Sequence, residues 1–347
     1  MPQFVHRIVI LLVCFTFVIN LVGLPKAEAG IISQKQEISI GRDVAKQLEK
    51  KYGLVEDPAL QERVDRIGQS LVAVSDRKDI QYSFKVLNSK EINALAAPGG
   101  YIYVFKGLID LMPSDDELAG VIGHEVGHVV EKHTVKQIEK SMGMGILFGV
   151  LFGDKGVALQ NLAFNAIMAG YSRDDEREAD KLGFVYAYNA GYNPYSMMMG
   201  LKKLSELNQN YQTTLFSGHP EGRARVAAVQ KYMDEAQIKP HVVILDDDKG
   251  AQIVEGEWKL PPLTATFSDY KPHCRAYFAA GRLSKLRQLP DYSADKFITD
   301  SDGINCTIYY DDQNVITLTP EDAAANATNV MDLAGTYIAK IKEWKVE

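Results

Sequence analysis

Cysteine is scarce in this chain. Three occur among 347 residues, and Cys14 lies in an apolar N-terminal run, which leaves Cys274 and Cys306 for the folded body. In an oxidising compartment they form either one disulfide or two separate buried thiols, and the sequence keeps both readings open. Positive charge is also short. Lys and Arg number 38 against 45 Asp and Glu, for a formal net charge of −7. Nucleic-acid binding needs clustered basic side chains to neutralise phosphates, so the composition argues against a nucleic-acid partner. Apolar runs long enough to span a bilayer, about 20 residues, are missing as well. The two candidates, residues 8–22 and 142–153, are both shorter. No repeat of about 34 residues marks the last hundred positions, which argues against a helical-repeat array there.

What is present begins with a leader. Arg7 precedes the first apolar run, and Ala27-Glu28-Ala29 has the A-x-A form of a signal-peptidase site. Residues 1–29 are therefore expected to be a secretory signal peptide, with Gly30 as the mature start; an uncleaved anchor is the alternative. The remainder is long enough for one large or two modest domains. Helical periodicity fades after Pro240, which suggests a division into residues 30–240 and 241–347.

The chain is organised around residues 114–133, SDDELAGVIGHEVGHVVEKH. Ser114 followed by Glu117 is a capping box, and Asp115 and Asp116 suit the positive end of a helix. Apolar positions then recur at Leu118, Val121, Ile122, Val126, Val129 and Val130 with helical spacing. On such a helix His124 and His128, four apart, share one face and can bind one metal ion. Glu125 lies beside them, placed to take a proton from a water. This is the HExxH pattern of zinc peptidases. Gly123 and Gly127 weaken helix propensity by about 1 kcal/mol each, which makes sense if another element approaches closely.

The flanking segments read as follows. Residues 31–75 give two packing helices, the second starting at Asp57-Pro58. Tyr82, Phe84 and Val86 alternate with polar residues as in a half-buried strand, and Pro98-Gly99-Gly100 turns the chain into a second. Gly99, Gly100, Tyr101, Ile102 and Tyr103 are expected to lie on an edge strand that pairs with substrate backbone, or on an ordinary hairpin. Residues 141–170 read as a buried or substrate-covering helical hairpin, with a membrane-touching loop at 142–153 as the alternative. In residues 171–190, Glu176 and Asp180 share a helix face, and Gly191-Tyr192-Asn193-Pro194 stops that helix. Beside HEVGH, Glu176 is the candidate third metal ligand. Two more amphipathic helices cover 195–210 and 221–236. Residues 304–319 read as a hairpin, and Pro320 opens a final helix running to about Lys342.

Taken in order, NALAAPGGYIYVFKGLI, HEVGH, SRDDEREADKLG and GHPEGRAR resemble the motifs of the HExxH…ExxxD zinc endopeptidases, the family of HtpX and the CAAX prenyl proteases, in its soluble periplasmic BepA-like branch. The resemblance covers roughly residues 31–236. It implies an α+β fold: a mainly helical, zincin-like (gluzincin) domain with a small sheet beside the active-site helix, followed here by a small α+β region. It implies one catalytic Zn2+ held by His124, His128 and Glu176, with Glu125 as general base. Asp180 would accept a hydrogen bond from a ligand imidazole. His219 would hold substrate or latch the metal, and Arg225 would steady the oxyanion. Polypeptides, unfolded ones above all, are the implied substrates. A zinc-containing periplasmic chaperone with a latched or idle site is the rival reading. His133 makes HExxHxxxxH, one residue short of a three-His zinc site, and is left out of the ligand set.

Overall fold

Helices carry most of the fold. The computed structural model describes residues 32–149, 155–207, 222–245 and 249–344, with side chains for all of these except 142–149, 155–160, 222 and 223. The predicted leader and His219 lie outside the described residues. So do the side chains of the apolar run at 142–149.

Helix α1 (Gln34–Tyr52) buries the stripe Ile40, Gly41, Val44, Ala45 and Leu48. Helix α2 (Pro58–Ala73) starts as its sequence predicts: Asp57 caps it by accepting from the Leu60 N–H, and Pro58 takes the first turn. Three short strands follow, β1 (Ser83–Leu87), β2 (Ala94–Ala97) and β3 (Tyr101–Phe105). Their order in the sheet is β1-β3-β2, with β3 parallel to β1 and antiparallel to β2. This corrects the edge-strand expectation. Tyr101, Ile102 and Tyr103 sit in the central strand, where both backbone edges are taken, and Gly99 and Gly100 form the turn into it. The outer edge of the sheet on the side of the HEVGH helix belongs to β2. Gly99 has a positive φ of 74°, and a Cβ there would lie 2.6 Å from the Cα of Ile38. Glycine thus lets α1 close over the turn.

After α3 (Lys106–Leu111) comes the active-site helix α4 (Asp115–Val130), with the predicted capping box at Ser114 and Glu117. Its residues 117–129 are all buried. Helices α5 (His133–Gly149) and α6 (Lys155–Ala169) pack on one another, and α6 also packs on α1. Helix α7 (Arg173–Asn189) ends at Gly191, φ 87°. Helices α8 (Ser196–Leu207) and α9 (Gly222–Glu235) complete the surround. No described helix is long and apolar enough to cross a membrane.

The C-terminal region holds two further three-stranded antiparallel sheets. One is β4 (His241–Leu245), β5 (Gly250–Glu255) and β6 (Trp258–Lys259); the other is β7 (Phe297–Ser301), β8 (Cys306–Tyr310) and β9 (Gln313–Leu318). Between them runs α10 (Pro272–Arg287), a helix that the fading periodicity did not predict. It is buried on nearly every side, so no polar face marks it. The predicted last helix is two, α11 (Pro320–Ala325) and α12 (Val330–Glu343), broken where Ala327 takes a left-handed φ of 53° and Asn329 caps anew. Cys274 and Cys306 are buried and free.

Two apolar cores result. One gathers α2, α4 and the first sheet; the other runs from Phe184 and Met197–Met199 through the C-terminal sheets to Trp344. Helix α7 reaches both, with Phe184 in one and Tyr186 in the other.

Candidate metal centre

The site lies where α4 and α7 press together. A Cβ on Gly123 would lie 3.0 Å from the carbonyl oxygen of Gly183, and one on Gly127 would lie 3.1 Å from the Cα of Ala179. The two glycines thus permit a helix contact at backbone distance, which offsets their propensity cost. That contact brings the first turns of α7 over the histidine face of α4.

His124 and His128 present their Nε2 atoms to each other at 3.0 Å. Glu176 offers Oε2 at 3.6 Å from His124 Nε2 and Oε1 at 3.5 Å from His128 Nε2. All three side chains are buried, and their donor atoms lie within 4.8 Å of one another. Two imidazole nitrogens and one carboxylate oxygen at this spacing fit a divalent ion with metal–ligand distances of about 2.0–2.2 Å. Three donors would leave a fourth position open, as catalytic sites do. Glu125 is also buried and shares a small apolar recess with His124, Val121, Met197, Leu201 and Arg225.

Each histidine has a partner behind it. His124 Nδ1 donates to Asp180 Oδ1 at 2.9 Å. Asp180 is gripped by Arg225, whose Nε donates to Oδ2 at 2.7 Å and Nη2 to Oδ1 at 2.6 Å. Burial pushes the Asp180 pKa up, but the Arg225 charge and hydrogen bonds win and hold it below the ordinary carboxylate range. The third Arg225 nitrogen, Nη1, lies 3.0 Å from Glu176 Oε2. This revises the role expected from the resemblance. All three guanidinium nitrogens are directed at Asp180 and Glu176, so Arg225 braces carboxylates behind the metal position instead of facing a reacting carbonyl.

Three further neighbours surround His128: His133, which the sequence reading left out of the ligand set, and Tyr171 and Thr134, which it did not single out. His133 Nδ1 lies 2.8 Å from His128 Nδ1. Tyr171 stacks flat on His128, with ring centroids 3.8 Å apart and planes at 17°. Its hydroxyl and that of Thr134 lie 2.8 Å apart and reach the Ala96 carbonyl of β2 at 3.3 and 3.4 Å. Burial, then the Glu125 charge, raises the Tyr171 pKa, so the phenol stays protonated. The available signal was its place just before the Ser172 capping box, one residue short of the charged helix.

A buried helix carrying two imidazoles four residues apart, completed by a glutamate from a second helix, defines a zincin-like metallopeptidase site. Residues 58–233 match the description Peptidase family M48, and the chain belongs to that family. Residues 252–344 match a domain of unknown function, DUF8459. The chain is 33% identical to mitochondrial metalloendopeptidase OMA1 of Arabidopsis thaliana over 190 residues, 54% of this chain and 39% of OMA1. It is 25% identical to the beta-barrel assembly-enhancing protease of Escherichia coli over 233 residues, 62% of this chain and 47% of that protein. It is 26% identical to metalloprotease LoiP of E. coli over 225 residues, 62% of this chain and 88% of LoiP. The chain thus spans less than half the length of the first two.

Proposed function

We propose that this chain is a zinc-dependent metalloendopeptidase that cuts unfolded polypeptides in the bacterial periplasm, as part of envelope protein quality control. The observation that carries this reading is the convergence of His124, His128 and Glu176 around one point, with Glu125 beside it. Membership in family M48 implies a metal, and the mixed nitrogen and oxygen donor set suits zinc. Zinc, when bound, supplies polarisation of the scissile carbonyl and lowers the pKa of a water at the open position.

The chain's own residues do the rest. Glu125 accepts a proton from the attacking water and returns it to the nitrogen of the departing amine, so one water is consumed per bond broken. The edge of β2, not β3, is the place for an extended substrate to add as a strand, because α4 packs directly on it. Backbone pairing of that kind favours chains without fixed structure. The relative named as a beta-barrel assembly-enhancing protease supports an envelope setting, and the A-x-A leader supports export.

The test is cleavage of an unfolded model protein by mature residues 30–347 beside Glu125→Gln. Wild type is expected to cut, and the variant is expected to bind zinc normally while losing at least about a hundredfold in rate. Equal turnover by both would overturn the mechanism. His219, by resemblance the substrate holder or latch, is separable in the same assay: activity that rises in His219→Ala indicates a latch, and activity that falls indicates substrate holding.

A further inference from the structure

His133 stands five residues after His128, and on a continuous helix that offset turns about 140° away from the ligand face. The chain avoids the problem by breaking. Helix α4 ends at Val130, Lys132 takes a left-handed φ of 55°, and α5 begins at His133. The reversal folds the His133 ring back behind His128. The ring centroids are 5.0 Å apart, the Nδ1 atoms 2.8 Å apart, and both side chains are fully enclosed. On its far side His133 Nε2 faces two carboxylates of α7, Glu178 Oε2 at 3.2 Å and Asp175 Oδ1 at 3.6 Å.

Two imidazole nitrogens can share a hydrogen bond only if one carries the proton and the other a lone pair. His128 Nε2 looks at the other two ligands and must offer a lone pair to an ion, so its proton sits on Nδ1. His133 must then accept at Nδ1 and carry its own proton on Nε2, pointing at Glu178. The donors run in one direction, from His128 through His133 to α7. We propose that His133 is a positioning residue: its Nδ1, facing His128 Nδ1, fixes the tautomer and ring plane of His128 and so aims its lone pair at the metal. The proposal rests on the metallopeptidase reading above.

The two ligand histidines are therefore held differently. His124 donates to the anionic Asp180, braced by Arg225, whereas His128 donates to a second imidazole and is pressed from the side by Tyr171. What His133 contributes is direction more than basicity. Losing a hydrogen-bonding partner behind a metal ligand typically weakens metal binding about 10–100-fold.

The experiment measures the zinc dissociation constant by chelator competition, with thermal unfolding alongside, for wild type, His133→Leu and His133→Asn. Leucine fills the space and offers no acceptor. Asparagine places an amide oxygen on Cγ, where His133 carries Nδ1, and keeps the acceptor. Expected is a loss of about 10–100-fold in zinc affinity for His133→Leu, mostly recovered in His133→Asn. If His133→Leu fails to fold, His133→Gln takes its place: its amide reaches towards Glu178 but leaves no acceptor at the Nδ1 position, so it should bind more weakly than His133→Asn. Wild-type affinity in His133→Leu, or equal losses in the leucine and asparagine proteins, would overturn the proposal alone. A wild type that binds no zinc would overturn the metallopeptidase reading as well.

Discussion

Arg225 shows how much one side chain decides at this site. Its guanidinium meets Asp180 with two nitrogens and Glu176 with the third, all of them buried. Replacing it with leucine strands two carboxylates away from water, which typically costs about 3–5 kcal/mol. Arg225→Leu should lower the urea midpoint accordingly and weaken zinc binding. Arg225→Lys should rescue little, because an ammonium cannot make the forked contact. A second buried pair sets the acid limit of the fold. Burial raises the Asp322 pKa, but Arg275 and the N–H groups of Thr264 and Ala265 pull it below the ordinary range. A depressed carboxyl stabilises the native state fully above its unfolded pKa, ~3.9, and that stability is lost as pH falls through the lower folded value. Stability should therefore drop as pH falls below about 4. Asp322→Asn should be less stable at pH 7 and lose less over that window. Urea midpoints for both proteins at pH 7 and pH 3 check this.

At the scale of elements, the decisive event is the approach of α7 to α4. A Cβ on Gly183 would fall 2.8 Å from the His124 backbone nitrogen and 2.5 Å from the Met197 terminal methyl. Gly183→Ala should push the helices apart, costing about 1–3 kcal/mol and loosening the metal site. Gly335 is the control. It lies inside α12 with open space where a Cβ would go, so Gly335→Ala should stabilise the chain by up to about 1 kcal/mol. Thermal unfolding of the two variants, with zinc affinity for the first, separates packing from propensity. Where elements follow local rules, the sequence was readable. The capping box at Ser114 and the Asp57-Pro58 start mark two helices to within a residue. Helix α10 escaped because its polar residues are buried with partners: Arg275 pairs with Asp322, and His273 lies 3.0 Å from Glu206. A helix enclosed on all sides has no amphipathic period to read.

Across the whole molecule, the C-terminal region is tied to the site that it follows in sequence. Met197–Met199 on α8 share a core with β5, α10 and β8. Tyr270 donates to Glu117, the residue that closes the capping box of α4, at 3.1 Å, and Lys203 pairs with the same carboxylate. Glu206, gripped by His273 and Lys271, is held at a pKa of about 2 despite the burial that opposes it. A chain ending at residue 240 would expose one side of α8 and unpin the start of the active-site helix. It should unfold at a lower temperature than residues 30–347 or aggregate, as scanning calorimetry and light scattering would show.

The sequence by itself determined the chemistry. Spacing put His124 and His128 on one helix face with Glu125 beside them, and the four-residue step from Glu176 to Asp180 put both on one face of a second helix. All of this depends on local periodicity, which a one-dimensional pattern records. What only the tertiary structure decided are the contacts between distant segments. Strand order moved the sheet's outer strand from the expected residues 99–103 to Ala94–Ala97, because pairing depends on which strands meet and not on their composition. Arg225 meets Asp180 and Glu176 because α9 packs on α7 and α8. His133, one residue short of the three-His spacing, lies behind His128 because a left-handed residue at Lys132 turns the chain back there.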